Sequence, residues 1–154
     1  MRFKIEFKGF SFYAGANRFQ MVDGYNSNLP DGSHFLMWDF DDVELATVEG
    51  ELKKVQQAFN LPTIYIMSSG KPNCWHANCF KATPWEVVRA IIGLTPSVDK
   101  KYLSIGILRG FFTLRYSPVG KREIEIAGIL ESRVPEDVNP LNLTSFSTYP
   151  KKVR

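Results

Sequence analysis

The stretch SHFLMWDFDDVELATVEGELKKVQQAF, residues 33–59, decides the predicted fold because it joins an apolar strand to an amphipathic helix through a cluster of acids. Residues 33–40 are mostly apolar and predict a strand. From residue 43 to residue 59 an apolar side chain recurs every three to four positions, which predicts a helix with one buried face. Asp42 stands just before this helix, and we predict that it is the N-cap.

Two carboxylates lie where the predicted strand ends. Asp39 and Asp41 are two residues apart and therefore point to the same face of a strand. An acid beside a buried strand costs free energy unless a positive charge compensates it, and a hard divalent cation is the usual compensation. The sequence therefore predicts a metal site at Asp39 and Asp41, which Asp42 can also reach. In the alternative interpretation, Asp42 only caps the helix and the other two acids are solvated.

The two ends of the chain have weaker patterns. Residues 2–22 predict one or two strands joined by a glycine-containing turn, and residues 23–33, which are polar and rich in Gly, Asn and Pro, predict a loop. The tail from residue 132 onward is polar and contains three prolines. We predict that this tail is coil.

A second helix has a well-marked start. Thr83 is predicted as its N-cap, Pro84 as its first helical residue and Glu86 as the partner of Thr83 in a capping box, while Gly93 ends it. The other predicted elements are strands over residues 63–68, 74–80, 102–108, 111–116 and 123–130.

These elements predict an α+β fold: an RRM-like antiparallel or mixed sheet with two main helices packed on one face. The open face of the sheet is where we expect a site. At 154 residues the chain is about one domain, residues 1–154. Its predicted parts are N-terminal strands and loop (1–32), a core (33–130) and a polar C-terminal tail (131–154).

The composition excludes some classes of protein. An apolar share of 44% and a charged share of 23% are typical of a soluble globular chain. No apolar run approaches the roughly 18–20 residues that cross a bilayer, and the N-terminus lacks the apolar core of a signal peptide. We therefore expect a cytoplasmic protein without a membrane partner. The net charge of +3 is too small to indicate nucleic-acid binding by itself.

A turn of small residues, Ser68-Ser69-Gly70-Lys71, follows the predicted strand 63–68. Such a turn can aim backbone N–H groups, hydroxyls and an ammonium group at a phosphate, although the spacing is not that of a Walker A loop. His76 follows on the next predicted strand and can bind the same phosphates. The alternative is that His76 is only structural.

Two further sets of residues are candidate sites. Cys74, His76 and Cys79 suggest zinc, but the set has only three ligands and strand alternation sends Cys79 to the opposite face, so we favour reduced thiols. The predicted hairpin over residues 102–116 has cations alternating with aromatic side chains, which suits a phosphate backbone or bases. Its polar residues and those just after it are Arg109, Thr113, Arg115 and Lys121.

Taken together, a strand ending in Asp-x-Asp, a helix, an apolar strand, a Ser-Ser-Gly-Lys turn and a His on the next strand resemble the catalytic core of archaeo-eukaryotic primases and primase-polymerases. That family has an acidic hhDhD/E motif, an SxH-type motif in a Ser- and Gly-rich turn, and a third acidic motif on a later strand. The resemblance covers residues 33–130.

The resemblance implies a nucleotidyltransferase, a DNA-directed primase or polymerase that binds a metal–nucleotide complex and a DNA or RNA template in the replication of a mobile element, plasmid or virus. A separate helicase is a further partner that it implies. By this likeness, Asp39 and Asp41 are catalytic and hold Mg²⁺ or Mn²⁺. The implied ligands of the nucleoside triphosphate are Ser68, Ser69, Lys71, His76 and Arg115, and those of the nucleic acid are Arg109, Lys121 and Arg122.

One departure from the family leaves catalysis open. Residues 110–117, where such primases place a third metal-binding acid, contain no carboxylate. Two other classes therefore stay open. A rolling-circle replication initiator needs a His-hydrophobe-His pair and a catalytic Tyr, for which the chain offers His76 with Tyr102 or Tyr116. A non-catalytic module that binds single-stranded nucleic acid would stack bases on Trp75, Phe111, Phe112 and Tyr116.

Overall fold

The computed structural model of the chain describes residues 2–7, 10–15 and 18–153. The strands are β1 (Arg2–Phe7), β2 (Phe10–Gly15), β3 (Arg18–Asn26), β4 (His34–Phe40), β5 (Ile64–Ser68), β6 (Trp75–Thr83), β7 (Thr113–Arg115), β8 (Glu125–Leu130) and β9 (Phe146–Val153). The helices are α1 (Leu45–Ala58), α2 (Trp85–Gly93) and α3 (Lys100–Arg109), and a single 3-10 turn covers Pro140–Asn142. No helix among these residues is long and apolar enough to cross a membrane.

The strands form three antiparallel sheets. A four-stranded sheet has the order β4-β6-β5-β8, a three-stranded sheet has the order β7-β3-β9, and β1 pairs with β2. Sheets and helices together confirm the predicted α+β class, compatible with an RRM-like fold. The pairing in these sheets is antiparallel throughout, so the mixed sheet that was the other prediction is not present in the described residues.

Helices α1 and α2 supply the apolar side of the four-stranded sheet. The helical spacing of Val48, Leu52 and Val55 puts these side chains on one stripe of α1, and all three are buried in the core. On the strands, Trp38 of β4 is fully buried and its indole N–H donates to Thr95 Oγ1, just after α2, at 3.0 Å. The predicted covering of one sheet face by two main helices is consistent with these contacts.

The three-stranded sheet contacts the other face. Asn78 of β6 donates to the hydroxyl of Tyr25 of β3 at 2.7 Å, and Arg115 of β7 donates to the carbonyl of Ser69 at 2.7 Å. Strands β3 and β7 approach closely at Gly24, where a Cβ atom would lie 2.8 Å from the Leu114 carbonyl oxygen. This contact between two sheets, rather than an open sheet face, is where the polar residues of the chain converge.

Residues 102–108 are helical, and the predicted strand there is wrong. Helix α3 begins after Asp99, whose Oδ1 accepts the Tyr102 amide at 2.6 Å, and ends at Gly110 with a positive φ of 80°. The hairpin predicted over residues 102–116 is therefore wrong too. Strand β7 is only three residues long, and its partner is β3 instead of the preceding segment.

The prediction of coil for the polar tail holds as far as residue 145, apart from the 3-10 turn, and is wrong for the rest. The tail contains β9, which pairs with β3 over an eight-residue register from Arg18↔Val153 to Tyr25↔Phe146. β9 is an edge strand, where Pro150 is tolerated because its missing N–H can face solvent. The predicted loop over residues 23–33 is wrong in its first part for a related reason, since β3 continues through Gly24 to Asn26.

Both predicted helix caps are wrong. Asp42 has a positive φ of 59° and the N-cap of α1 is Glu44, which makes no side-chain cap hydrogen bond. Thr83 is the buried last residue of β6, and Pro84 is the N-cap of α2, so no capping box forms. Among the described residues of the first 22 there are three strands where one or two were predicted. The segment predicted as a glycine-containing turn contains β2, and its residues 8–9 and 16–17 lie outside the described residues.

Candidate functional site

Asp39 and His76 are direct neighbours across two strands. They oppose each other in the β4–β6 register, and His76 Nε2 lies 3.5 Å from Asp39 Oδ1. The His76 side chain is 7% exposed and that of Asp39 is 25% exposed, so the acid keeps contact with solvent while the imidazole does not. The sequence separates these residues by more than 30 positions, and the antiparallel pairing brings them together.

Burial changes the protonation of both groups. Desolvation, with a smaller repulsion from Asp41, raises the pKa of Asp39 to about 7, against the attraction of Lys151 and Lys71. Desolvation, with repulsion from Arg115 and Lys151, lowers the pKa of His76 to about 3. At neutral pH the imidazole is therefore uncharged, and it does not compensate the charge of Asp39. A cation from outside the pair would bind this carboxylate in competition with a proton.

The turn after β5 brings a second group of residues to this place. Ser69 N–H donates to the Cys74 carbonyl at 3.0 Å, which closes the turn, and Gly70 takes a positive φ of 79°. A Cβ atom on Gly70 would lie 2.7 Å from Arg122 Cβ and 2.9 Å from the Glu123 carbonyl oxygen. Glycine thus lets the segment before β8 approach the turn, which brings Arg122 to the turn that carries Lys71.

Arg115 is the buried cation of the site. Its guanidinium donates to two backbone carbonyls, that of Ser69 at 2.7 Å and that of Ser117, and the residue is 5% exposed. Its Nε has no hydrogen-bond partner among the described residues. Burial lowers the pKa of the guanidinium, but an arginine stays charged at any pH at which the protein folds. Two fixed hydrogen bonds hold this charge in place.

Two cavities meet at the acids. The smaller, about 20 Å³ in volume and here named the cationic recess, is lined by four basic residues together with Ser69, His76 and the two acids; the basic residues are Lys71, Arg115, Arg122 and Lys151. The larger, about 460 Å³ and here named the large cavity, lies between α3, β7 and β9. Asp39, Asp41 and Lys151 line both. The acids therefore stand at the junction of a small basic pocket and a roomy one.

The structure brings together most, though not all, of the predicted site residues. The cationic recess is lined by Asp39, Asp41, Ser69, Lys71, His76, Arg115 and Arg122. Arg109 lines the large cavity and lies 4.5 Å from the centre of the Phe111 ring in a cation–π contact. Three predicted residues line neither cavity: Asp42 and Lys121 are exposed, and Ser68 uses its hydroxyl to accept the Gly70 N–H at 3.1 Å.

Several residues of the site were not found from the sequence. Lys151 and Tyr149 come from β9, in the tail that was predicted to be coil. Asp99 also lines the large cavity, and its backbone N–H donates to the Asp39 carbonyl at 2.8 Å. The only local signal for Asp99 is its place just before α3, and the sequence predicts that segment as a strand. For β9 there was no local signal, because its position depends on pairing with a strand more than 100 residues away.

The carboxylates suit one kind of metal binding. No group of three or more His, Cys, Asp or Glu side chains in the described part of the chain is placed to hold a metal ion. Mg²⁺ commonly takes one or two carboxylates and completes its shell with water and substrate phosphates. Asp39 and Asp41, which line the same cavities, fit that arrangement and do not form an all-protein cage.

The residues of the other hypotheses are less well placed. Cys74 and Cys79 are buried free thiols, and burial raises the pKa of Cys79 to about 12, which disfavours the thiolate that zinc needs. The Tyr102 hydroxyl donates to the Met37 carbonyl at 3.1 Å, and burial raises its pKa well above the usual value, which does not suit a nucleophile. Of the proposed stacking residues, Phe112 is fully buried in the core.

Comparison with known proteins does not narrow these choices. The chain matches no protein-family model, no curated protein and no solved structure.

Proposed function

We propose that the chain is a nucleotidyltransferase of the primase-polymerase kind, which binds a nucleoside triphosphate together with Mg²⁺ or Mn²⁺ and a nucleic-acid template. The observation that carries this proposal is the meeting of two acids and four basic residues at one junction of two cavities. Basic side chains bind phosphates, and carboxylates bind the divalent cation that accompanies them. A nucleoside triphosphate with its metal ion requires both kinds of ligand side by side.

The two cavities suit different parts of the substrate. The cationic recess would hold terminal phosphates: Arg115 is fixed by backbone carbonyls and offers a pre-placed positive charge, while Ser69 and Lys71 come from the turn after β5. A volume of about 20 Å³ admits about one water-sized group, so the long side chains of Arg122 and Lys151 would have to swing outward on binding. The large cavity has room for the nucleoside and the end of a primer.

In the proposed reaction a 3′-hydroxyl oxygen bonds to the α-phosphorus and its proton passes to solvent, while the bond from the α-phosphorus to the oxygen that bridges to the β-phosphate breaks and pyrophosphate leaves. Asp39 and Asp41 would hold the divalent cations, which stabilise charge on the attacking and leaving oxygens when they are bound. Arg115 and Lys71 would orient the departing phosphates. The uncharged His76 would keep Asp39 in its orientation through their 3.5 Å contact and add no competing positive charge. Asp99 also lines the large cavity, but its carboxylate accepts the Tyr102 N–H at the start of α3, so the proposal uses two acids and not a third in place of the one that residues 110–117 lack.

Primer extension tests the proposal. The wild-type chain should incorporate nucleotides into a primed single-stranded template in the presence of Mn²⁺, and Asp39→Asn and Asp41→Asn should each abolish incorporation, while circular dichroism shows a folded chain. Asp42→Asn is the matched control, because Asp42 is an exposed acid that lines neither cavity, and it should retain activity. The proposal fails if the wild type incorporates nothing with any nucleotide or template tried.

A non-catalytic module for single-stranded nucleic acid is the second candidate function. The observation in its favour is the cation–π pair of Arg109 and Phe111 at the large cavity, since an arginine on an aromatic ring is a common platform for bases and phosphates. In that case the chain would bind single strands with strong salt dependence, and incorporation would be absent at every metal concentration.

A further inference from the structure

A third cavity lies between the four-stranded sheet and the three-stranded sheet, outside the site described above. Its volume is about 370 Å³ and almost all of its lining is apolar. We name it the aromatic pocket for the rings that line it, which are Tyr25, Tyr65, Phe80, Tyr116 and Phe146. Neighbouring rings are in contact: Tyr25 and Tyr116 are stacked with ring centres 6.2 Å apart, and Tyr116 meets Phe146 edge to face at 6.2 Å. The pocket thus has planar walls on more than one side.

One buried amide interrupts the apolar lining. Asn78 lines the aromatic pocket and is 3% exposed. Its Nδ2 donates to the Tyr25 hydroxyl at 2.7 Å, whereas its Oδ1 has no hydrogen-bond partner among the described residues. A buried acceptor without a donor is unfavourable, so a ligand that brings an N–H group to Asn78 gains both a hydrogen bond and the relief of that cost. An aliphatic occupant would leave the amide oxygen unpaired.

The aromatic pocket is a neighbour of the cationic recess. Asn78 is two residues beyond His76 on β6, and the two side chains point to the same face at a separation of about 7 Å along the strand. Two consecutive residues at the three-stranded sheet also belong to the two sites: Arg115 lines the cationic recess and Tyr116 lines the aromatic pocket. A basic site and a flat apolar site are therefore about one nucleotide apart.

We infer that, when no nucleoside triphosphate occupies the cationic recess, the aromatic pocket binds an unpaired nucleobase of a single strand whose adjacent phosphate lies at the basic residues of that recess. The base would stack on one of the two rim rings, Tyr116 or Phe146, and meet the other edge to face, because these two rings are nearly perpendicular; an amino or imino N–H on its edge would donate to Asn78 Oδ1. Each of the common bases has such a group, so the pocket accepts all of them. This inference rests on the proposed function only in taking a nucleic-acid strand as the ligand.

Binding of two matched strands tests the inference. The probes are a labelled single-stranded DNA of about 12 nucleotides and an abasic strand of the same length, measured by fluorescence anisotropy without metal or nucleotide. Phe146→Ala and Tyr116→Ala remove exposed rings at the rim, at 56% and 48% exposure, and leave the core intact. Each should weaken binding of the base-bearing strand about tenfold and leave binding of the abasic strand unchanged. Phe19→Ala is the matched control, because Phe19 is an exposed ring on β3 away from the pocket.

Asn78→Leu adds a test of the amide, because leucine has the same branching and the same number of side-chain heavy atoms but neither the acceptor nor the donor. It should weaken binding of the base-bearing strand alone. The inference is overturned if the rim variants weaken both strands equally or neither. The outcome is separate from that of the proposed function: Asp39→Asn should lose incorporation and keep the preference for the base-bearing strand. A chain that never incorporates nucleotide can still show this preference.

Discussion

The two faces of the four-stranded sheet differ in how completely their polar groups are paired. On the face under α1 and α2, Trp38 has its indole N–H bonded to Thr95, and the neighbouring side chains are apolar and buried. On the face under the three-stranded sheet, His76 Nδ1, Asn78 Oδ1 and Arg115 Nε are buried and have no partner among the described residues. One face supplies stability through apolar packing, and the other holds groups that lower stability unless a ligand engages them.

The largest effect on stability is expected on the face under the helices. Leu52→Ala removes a fully buried side chain of α1 and should lower the free energy of unfolding by about 3–5 kcal/mol. Asp39→Asn, on the opposite face, should leave the free energy of unfolding unchanged or raise it at pH 7, because burial disfavours the carboxylate that the unfolded chain carries at this pH. Urea unfolding of both variants measures the difference. Similar losses in the two variants would contradict the division of roles between the faces.

Two glycine substitutions separate the cost of backbone strain from the cost of a steric clash at the site. Gly70→Ala should lower the free energy of unfolding by about 2–3 kcal/mol, because the new Cβ meets the backbone and Cβ of residues 122–123 and the positive φ is strained. Gly32→Ala is the control: its φ of 83° carries the same strain, yet nothing lies within 4 Å of the added Cβ, so about 1 kcal/mol is expected. Thermal unfolding checks both. Equal losses would mean that the approach of Arg122 to the turn is not tight.

The smallest effect expected is a change in pH dependence. From about pH 4 to pH 6.5 the unfolded chain carries a carboxylate at Asp39 and a protonated His76, from their ordinary pKa values of 3.8 and 6.5, whereas in the folded chain the carboxyl keeps the proton. The folded and unfolded chains therefore bind the same number of protons at these two residues, so the pair makes the free energy of unfolding depend little on pH.

In Asp39→Asn only the pKa shift of His76 remains. Because this pKa is lower in the folded chain, the unfolded chain binds one proton more than the folded chain below pH 6.5. The variant should therefore lose up to about 1 kcal/mol more than the wild type for each pH unit between 6.5 and 5. Urea unfolding at pH 5 and pH 7 measures this, and His34, present in both chains, cancels in the difference. Parallel pH profiles of the two chains would contradict it.

The sequence predicts an element well where its apolar residues recur with the period of that element and are buried in the core. Residues 33–93 have clear periodicities, and β4, α1, β5, β6 and α2 lie within a few residues of their predicted positions. In α3 the apolar residues alternate as in a strand, and Ile105, Ile107 and Leu108 remain 41%, 43% and 87% exposed. Because α3 leaves most of its apolar residues exposed and buries only Tyr102 and Leu103 in part, it has no periodic apolar stripe, and its type is set by Asp99, Gly110 and tertiary contacts.

The candidate site shows the same limit. The shared face of Asp39 and Asp41 and the turn beside His76 were visible as local patterns, and these residues do line one recess. The register that opposes Asp39 to His76 could not be read from either strand alone. Tyr149 and Lys151 were missed because proline and polar residues obscure an edge strand, whose partner is distant in the sequence.

Strand β9 also affects the order in which the chain can fold. Its pairing with β3 joins residues 18–25 to residues 146–153 and closes a loop of well over 100 residues, the kind of contact that forms slowly because its entropic cost comes before its benefit. We expect the sheet under α1 and α2 to form first from its nearer pairings. Lys151 would then reach the recess in a late step, so that a newly made chain is compact before it is able to bind its ligand.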